Sequence, residues 1–598
     1  MTSQQLHAYR NTTQELPPLG LNPTSVDHYG LYPATPVARG TIGRGFLAIA
    51  EKLVGSRFIR IDGFVGVFWD DFKQRLEAAF ADLGVHVHWV ELAGALKSES
   101  EINRLAGPYL GGDDPLFGTR FEGRLSEVFD DGRFESLVTD DQTECTTFYG
   151  CGAGLVEIDG PLVYVDLPKS EVQFRSRAGA VGNLGVAQPA DPKTTYKRYY
   201  FFDWPMLNRH KASIVEKVDW FVDEQRPEAP TIISGEDLRQ SLDTLSRSMF
   251  RVRPWFEPGP WGGQWIMEHI PQLPQDVPNY AWSFELITPE NGLMFDDGEQ
   301  LLEVSFDWAM YLNSSAILGE CEARFGVDFP IRFNFLDTFN GGNLSVQCHP
   351  RPEYVKRHFG EPFTQDECYY IIDSKSGSEV YLGFVEGIDP EEFGDALKQS
   401  FAEGTEMDVR RYVNSEPTNN HDFFLIPGGT IHSSGVDNLV LEISATTYIF
   451  TFKMYDWQRM GLDGKPRPLN IDRALENLYF ERQGERVAKE LVSRPAEIEH
   501  GDDWRMVHLP THPDHFYDVH RFEFDTEVTG YTENSPNVMA LVEGSSVIVE
   551  TKDGSRQEFN YAETFVVPAA AESYKLINTG ESRAMVVKAF VKPLSNKP

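Results

Sequence analysis

Along the first 240 residues the apolar positions switch between two periods. Arg57-Phe-Ile-Arg-Ile-Asp-Gly-Phe-Val-Gly-Val67 has the crowded apolar pattern of a strand. Phe72, Leu76, Phe80 and Leu83 then recur every three or four positions and stop before Gly84, the spacing of one helix face. Val85-His-Val-His-Trp-Val-Glu-Leu92 returns to the strand pattern. Strand, helix and strand in that order predict an α/β layer containing a parallel pair. Leu155-Val-Glu-Ile-Asp-Gly-Pro-Leu-Val-Tyr-Val-Asp166 reads as two further strands around a tight turn.

Beyond residue 245 the pattern is mainly that of short strands. Leu344–His349, Glu367–Asp373 and Phe423–His432 read as strands, the last interrupted by a Pro-Gly-Gly turn. Two helices are expected among them. One lies within Gly298–Met310; the other opens at Asp389-Pro-Glu-Glu, with an Asp cap, Pro at the first position and early acids, and runs to Phe401. Set between the strands, this second helix is expected to cover the mouth of a barrel. From about residue 500, Val538–Glu543, Ser546–Thr551, Thr564–Pro568 and Ala584–Val591 are short alternating strands, with turn signals at Asp553-Gly and Gly580.

The expected organisation is therefore multidomain. Residues 1–240 form an N-terminal α/β domain of unassigned role, 245–490 a β-barrel with a helical insert, and 500–598 a second, smaller β-domain. A chain of 598 residues is too long for one core. Its 41% hydrophobic and 13% aromatic content marks it as globular. The net charge of −37, from 91 acids against 54 bases, argues against nucleic acid or an anionic membrane as partner. Five cysteines with no Cys-x-x-Cys pair favour neither a disulfide framework nor a thiolate metal site. Met1–His7 lacks a basic head and an apolar stretch, and no apolar run approaches the ~20 residues that span a bilayer. A cytoplasmic location is expected, and the oligomeric state stays open.

Candidate chemistry concentrates between Leu344 and Glu442. Successive strand residues point to opposite faces, so Gln347 and His349 share one face while Cys348 takes the other. Glu367 opens the next strand and His432 follows the Pro-Gly-Gly turn. Two imidazoles, a carboxylate and an amide oxygen suit zinc or a similar divalent ion, one per chain, with a coordination position left open. Other constellations read as structural. His86 and His88 fit a half-buried strand; Gly150, Gly152 and Gly154 precede a hairpin rather than a phosphate-binding helix; Gly111–Gly118 is a turn cluster. His508, His512, His515 and His520 are too irregularly spaced for a ligand set.

The local words from about 250 to 475 resemble those of the type I phosphomannose isomerases, a cupin-fold family. They are Trp261-Gly-Gly263, Ala281-Trp-Ser-Phe-Glu-Leu286, Phe329-Pro330, Leu344-Ser-Val-Gln-Cys-His-Pro350, Tyr381-Leu-Gly-Phe384, Pro427-Gly-Gly-Thr-Ile-His432, Leu441-Glu-Ile-Ser444 and Thr451-Phe-Lys-Met-Tyr-Asp-Trp-Gln-Arg459. The resemblance implies a metal-binding cupin barrel, followed by a smaller cupin-like domain. It implies that Gln347, His349, Glu367 and His432 hold the metal, with Glu442 and Lys453 in catalytic roles. The reaction implied is the interconversion of mannose 6-phosphate and fructose 6-phosphate through an enediolate, with a hexose phosphate as substrate. The chain departs from the family at basic positions: Asn334 and Gln365 stand where lysines are usual, and Lys453 where an arginine is usual. Arg332, Arg351 and Arg459 are the candidates to bind substrate instead, with Lys356 and Arg467 as further cations. The alternatives are a regulatory cupin that binds a sugar or sugar phosphate without turnover, and an isomerase of a related sugar.

Overall fold

The computed structural model describes residues 9–20, 29–112, 114–137, 139, 144–447 and 449–593. The chain opening at Met1–His7 and Asp113 of the glycine-rich cluster lie outside them. Two compact units are formed. The first comprises Met1–Ser25, Tyr32–Leu245 and Thr288–Ser314; the second comprises Val26–Leu31, Ser246–Ile287 and Ser315–Pro598.

In the first unit Phe58–Gly63, Val87–Glu91, Cys145–Tyr149, Leu162–Asp166 and Trp220–Asp223 are parallel, and the sheet is completed by Thr231–Ser234, antiparallel to Trp220–Asp223, and by Gly43–Arg44, antiparallel to Thr231–Ser234. Numbered by chain order, the five parallel strands stand in space as 5-4-1-3-2. The helix Trp69–Asp82 makes the first crossover and buries Phe72, Leu76 and Phe80 of the predicted stripe together with Ala79, whereas Leu83 caps the helix end and is exposed. Cys145–Tyr149 and Leu162–Asp166 are buried at every position, as strands covered on both faces must be.

Two expectations change here. Leu155–Asp166 is not a hairpin: only Leu162–Asp166 is a strand, and it pairs in parallel with Phe58–Gly63. The preceding loop is instead pinned by Asp62, whose carboxylate accepts from the amides of Gly152 and Gly154 at 2.8 and 2.7 Å. Thr288–Ser314, counted with the barrel on sequence, packs in the first unit. Leu301–Ser305 is a strand, and the helical segment Asp307–Leu318 that follows it is broken at Asn313, whose backbone is not helical. Buried Asp166 explains the attachment, accepting from the Ser305 amide at 2.7 Å and the Trp308 indole at 2.9 Å. A carboxylate so buried needs these donors, and it also pairs with Lys211 at 2.9 Å.

The second unit contains a barrel of two facing sheets. One has the strand order Phe423–Ile426, Glu367–Ser374, Asn438–Ala445, Ile331–Asp337, Trp282–Leu286, Trp255–Glu257. The other has the order Val413–Pro417, Glu379–Phe384, His432–Ser434, Val346–Cys348, Phe452–Tyr455. Leu336, Tyr369, Ile371, Val380, Leu382, Phe424, Ile426 and Val440 fill part of the interior as one apolar cluster. Polar side chains line the remainder. The helix Pro390–Glu403 forms as expected, with the Asp389 carboxylate accepting from the amides of Glu391 and Glu392. It packs against Phe452–Tyr455 and the helix Ile471–Asn477.

Residues 496–591 add a six-stranded and a four-stranded antiparallel sheet around their own core, including Phe522, Met539, Val549, Phe565 and Leu576. This β-domain is tied to the barrel within the same unit. Tyr517 donates its hydroxyl to the Ile443 carbonyl at 2.9 Å, and Arg521 donates to the Tyr370 hydroxyl at 3.1 Å. All five cysteines are free and buried. No described helix is long and apolar enough to cross a membrane.

Candidate metal centre

Strand register brings the ligand set together. Gln347 stands opposite His432 on one neighbouring strand and opposite Lys453 on the other, so the three side chains share a face. His349 follows two positions on. Glu367 enters from the facing sheet, where its strand pairs it with Ser444. The ligand atoms of His349, Glu367 and His432 lie within 4.8 Å of one another, and all three residues are buried. Among the described residues no other group of His, Cys, Asp and Glu offers such a site. His508 pairs with Asp518 at 2.9 Å instead.

The hydrogen bonds of the histidines select the ligating tautomer. His432 Nδ1 lies 3.0 Å from the Thr430 carbonyl and His349 Nδ1 3.3 Å from that of Phe450. A carbonyl only accepts, so each Nδ1 carries the hydrogen and each Nε2 keeps its lone pair. His349 Nε2 is 2.9 Å from Glu367 Oε2, and His432 Nε2 is 3.5 Å from Glu367 Oε1. Burial pushes both imidazoles down to about 4 and raises the Glu367 carboxyl. Glu367 Oε1 has no hydrogen-bond partner among the described residues although it is buried. An orphaned carboxylate oxygen facing two unprotonated imidazole nitrogens is a donor set short of a positive charge, and it fits a divalent ion. The Gln347 amide lies beside it, with Nε2 3.3 Å from His432 Nε2. Turning that amide presents Oε1 as the fourth donor.

Beside the ligands lies a buried ion pair between Arg332 and Glu442, with side chains 5% and 8% exposed. Arg332 also donates Nε to Ser444 Oγ at 3.0 Å, and Ser444 donates to Glu442 Oε1 at the same distance. The contacts converge on Oε1, and no described residue hydrogen-bonds Oε2. Burial raises the Glu442 carboxyl and the Arg332 guanidinium opposes that rise. Asn334 is best satisfied with its oxygen accepting from Arg332 Nε at 3.1 Å and its nitrogen donating to the Phe333 carbonyl. Gln365 donates to Glu367 Oε2 at 3.1 Å. The two positions where lysines are usual thus still face the site, as amides.

The remaining candidates are held elsewhere. Arg351 donates Nε to the Asn477 carbonyl at 2.8 Å and stacks 3.8 Å from the Tyr479 ring centre. Arg459 is paired with Asp456 at 2.6 Å, and so is Arg467. Ser444 was not singled out from sequence, although its spacing from Glu442 puts both on one strand face. Its role depends on a partner strand more than 100 residues away.

Residues 45–247 match a family described as Domain of unknown function (DUF8485). A probable mannose-6-phosphate isomerase of Bacillus subtilis is 28% identical over 256 residues, 43% of this chain and 74% of that protein. A second mannose-6-phosphate isomerase of B. subtilis is 27% identical over 224 residues, 38% of this chain and 66% of that protein. The crystal structure of the mannose 6-phosphate isomerase from B. subtilis aligns with a TM-score of 0.45 at 18% identity, over 57% of this chain and 99% of that one. The family likeness carried by the sequence motifs is borne out: over the matched part, this chain is similar to proteins named mannose-6-phosphate isomerase at 27–28% identity.

Proposed function

We propose that the barrel is a metal-dependent aldose-ketose isomerase that interconverts mannose 6-phosphate and fructose 6-phosphate. The observation that carries this reading is the buried convergence of His349, Glu367 and His432 beside the Glu442–Arg332 pair, in a chain whose curated relatives are isomerases of that sugar. Gln347, His349, Glu367 and His432 would hold a divalent ion, zinc being well suited to this donor set. When bound, the ion supplies Lewis-acid stabilisation of negative charge on the sugar oxygens.

The chain's own groups supply the rest. Isomerisation moves a proton between C2 and C1 of the open-chain sugar, which requires one base within reach of both carbons. Glu442 Oε2 is the oxygen available for that transfer, because Arg332 and Ser444 occupy Oε1 and fix the carboxylate plane. Burial raises the Glu442 carboxyl and the Arg332 charge opposes that rise, and a raised affinity for a proton suits a group that must take one and return it. Lys453, on the same face as Gln347, is a cation positioned to meet an anionic sugar. Burial around the ligands excludes water from a reactive enediolate.

The test is direct. Purified protein is assayed for fructose 6-phosphate formation from mannose 6-phosphate, after chelation and after return of zinc. Loss and recovery of turnover support the reading. Metal-loaded protein that binds the sugar phosphate without forming the ketose refutes turnover and leaves a regulatory binding protein.

A further inference from the structure

The first unit contains a crevice of about 930 Å³ to which the isomerase chemistry assigns nothing. It opens at the carboxyl ends of the parallel strands. Its walls come from the loop after Phe58–Gly63, the segment after Val87–Glu91, Gly150 and Cys151 after the third strand, and Pro227 beyond the fifth. The order 5-4-1-3-2 places strands two and three on one side of the first strand and four and five on the other. Open α/β sheets bind small molecules outside the carboxyl ends of their strands, where connections diverge in this way. The volume is that of a pocket for a small ligand.

The chemistry of the walls narrows the ligand. Sheets that bind phosphate at this place follow the strand with glycine amides, a lysine and a hydroxyl residue at the start of a helix. Here the loop Gly63-Phe-Val-Gly66-Val-Phe enters the helix Trp69–Asp82 with an indole and the carboxylates of Asp70 and Asp71 in its first turn. Those carboxylates already complement the positive end of the helix dipole. Glu91, Glu99 and Glu228 add further acids. The two basic side chains are engaged, Arg75 with Asp71 at 2.7 Å and Lys97 with the Glu127 carbonyl at 2.7 Å. Partial desolvation of its carboxyl and the neighbouring Asp70 raise Glu91 although the residue stands at the rim, as on a wall already crowded with negative charge. An added phosphate is repelled.

Between these acids the surface is apolar and aromatic, with Val65, Val67, Phe68 and Trp69 on one wall and Leu184 on another. Tyr9 also lines the crevice, and its buried hydroxyl has no hydrogen-bond partner among the described residues. Asp70, Glu91 and Glu99 are exposed at the rim, where water and salt weaken their pull on a cation but leave them able to accept hydrogen bonds from hydroxyls. The geometry points to this crevice as a binding site for an uncharged, hydroxyl-rich small molecule, a free mono- or disaccharide, rather than a nucleotide. The aromatic rings pack on the C–H face of the sugar and the rim carboxylates accept from its hydroxyls. This inference rests on neither the metal nor the isomerase activity.

The test follows Trp fluorescence and calorimetry of the full chain during titration with mannose, glucose and maltose, and with ATP and glucosamine as charged controls. Saturable binding of at least one neutral sugar is expected, unchanged in His432→Ala and at least tenfold weaker in Trp69→Ala and in Asp70→Asn. Asp70 is exposed, so its variant reports on binding with the fold intact. No saturable response to any neutral sugar, tighter binding of ATP or glucosamine, or affinity indifferent to both crevice variants overturns the assignment.

Discussion

Replacing Glu442 with glutamine separates proton transfer from metal binding. The side chain keeps its shape, and its carbonyl can occupy the place of Oε1, where Arg332 and Ser444 donate. Removing one partner of a buried ion pair outright costs about 3–5 kcal/mol. With the pair 5% and 8% exposed but the acceptor retained, the loss shrinks to the difference between a charged and a neutral acceptor, about 1–2 kcal/mol of stability. The catalytic loss is larger. Without a base, kcat is expected to fall ~10²–10⁴-fold, or about 3–5 kcal/mol on the barrier, with KM little changed. The assay measures fructose 6-phosphate formation, metal content and thermal unfolding on the same preparation. A kcat within about threefold of the parent, or loss of metal with the charge, refutes the assignment of Glu442.

Other outcomes follow from the same geometry. The acid limb of kcat/KM should lie above the ordinary glutamate value of about 4.3, because the base must be ionised and burial raises its carboxyl. Arg332→Met removes the charge that opposes this rise and should move the limb to higher pH; pH-rate profiles with an unmoved limb contradict it. Lys453→Met is expected to raise KM for the sugar phosphate about tenfold, about 1.4 kcal/mol, with less effect on kcat in steady-state assays. Chelation should lower the unfolding temperature, and an ion returned at about 100 times its Kd should restore about 2.7 kcal/mol in the parent and nothing in His432→Ala. Tyr517→Phe, which removes the hydroxyl bonded to the Ile443 carbonyl, should cost about 1 kcal/mol in a urea titration.

That Gln347 and His349 share a face is legible because strand alternation is local: two positions apart in Leu344–His349 means one face, whatever lies opposite. The helix Trp69–Asp82 was legible for the same reason. What escaped the sequence was pairing over distance. Ala34–Pro36 pairs with Gly292–Asp296, and no local pattern announces that a strand near residue 35 claims one near 294. Hence the local pattern alone groups Thr288–Ser314 with the barrel. Leu162–Asp166 is apolar enough for a hairpin, but its five buried positions reflect a central parallel strand whose partner lies 100 residues earlier. Arg332 and Glu442 were each identified, one for substrate and one for protons. Their union depends on the register that sets Arg332 opposite Ser444, two residues from Glu442. Arg351 and Arg459 look alike in sequence to Arg332, and only their partners distinguish them.

The site between His349, Glu367 and His432 can be tested directly for a metal ion. An anomalous difference map from crystals of zinc-loaded protein, recorded at the zinc edge, examines it without reference to turnover. The predicted result is one peak per chain, about 2.0–2.2 Å from both Nε2 atoms and the Glu367 carboxylate, with the Gln347 amide turned to present its oxygen. A map with no peak there, or with its peak on other residues, contradicts the claim that these side chains form a metal centre.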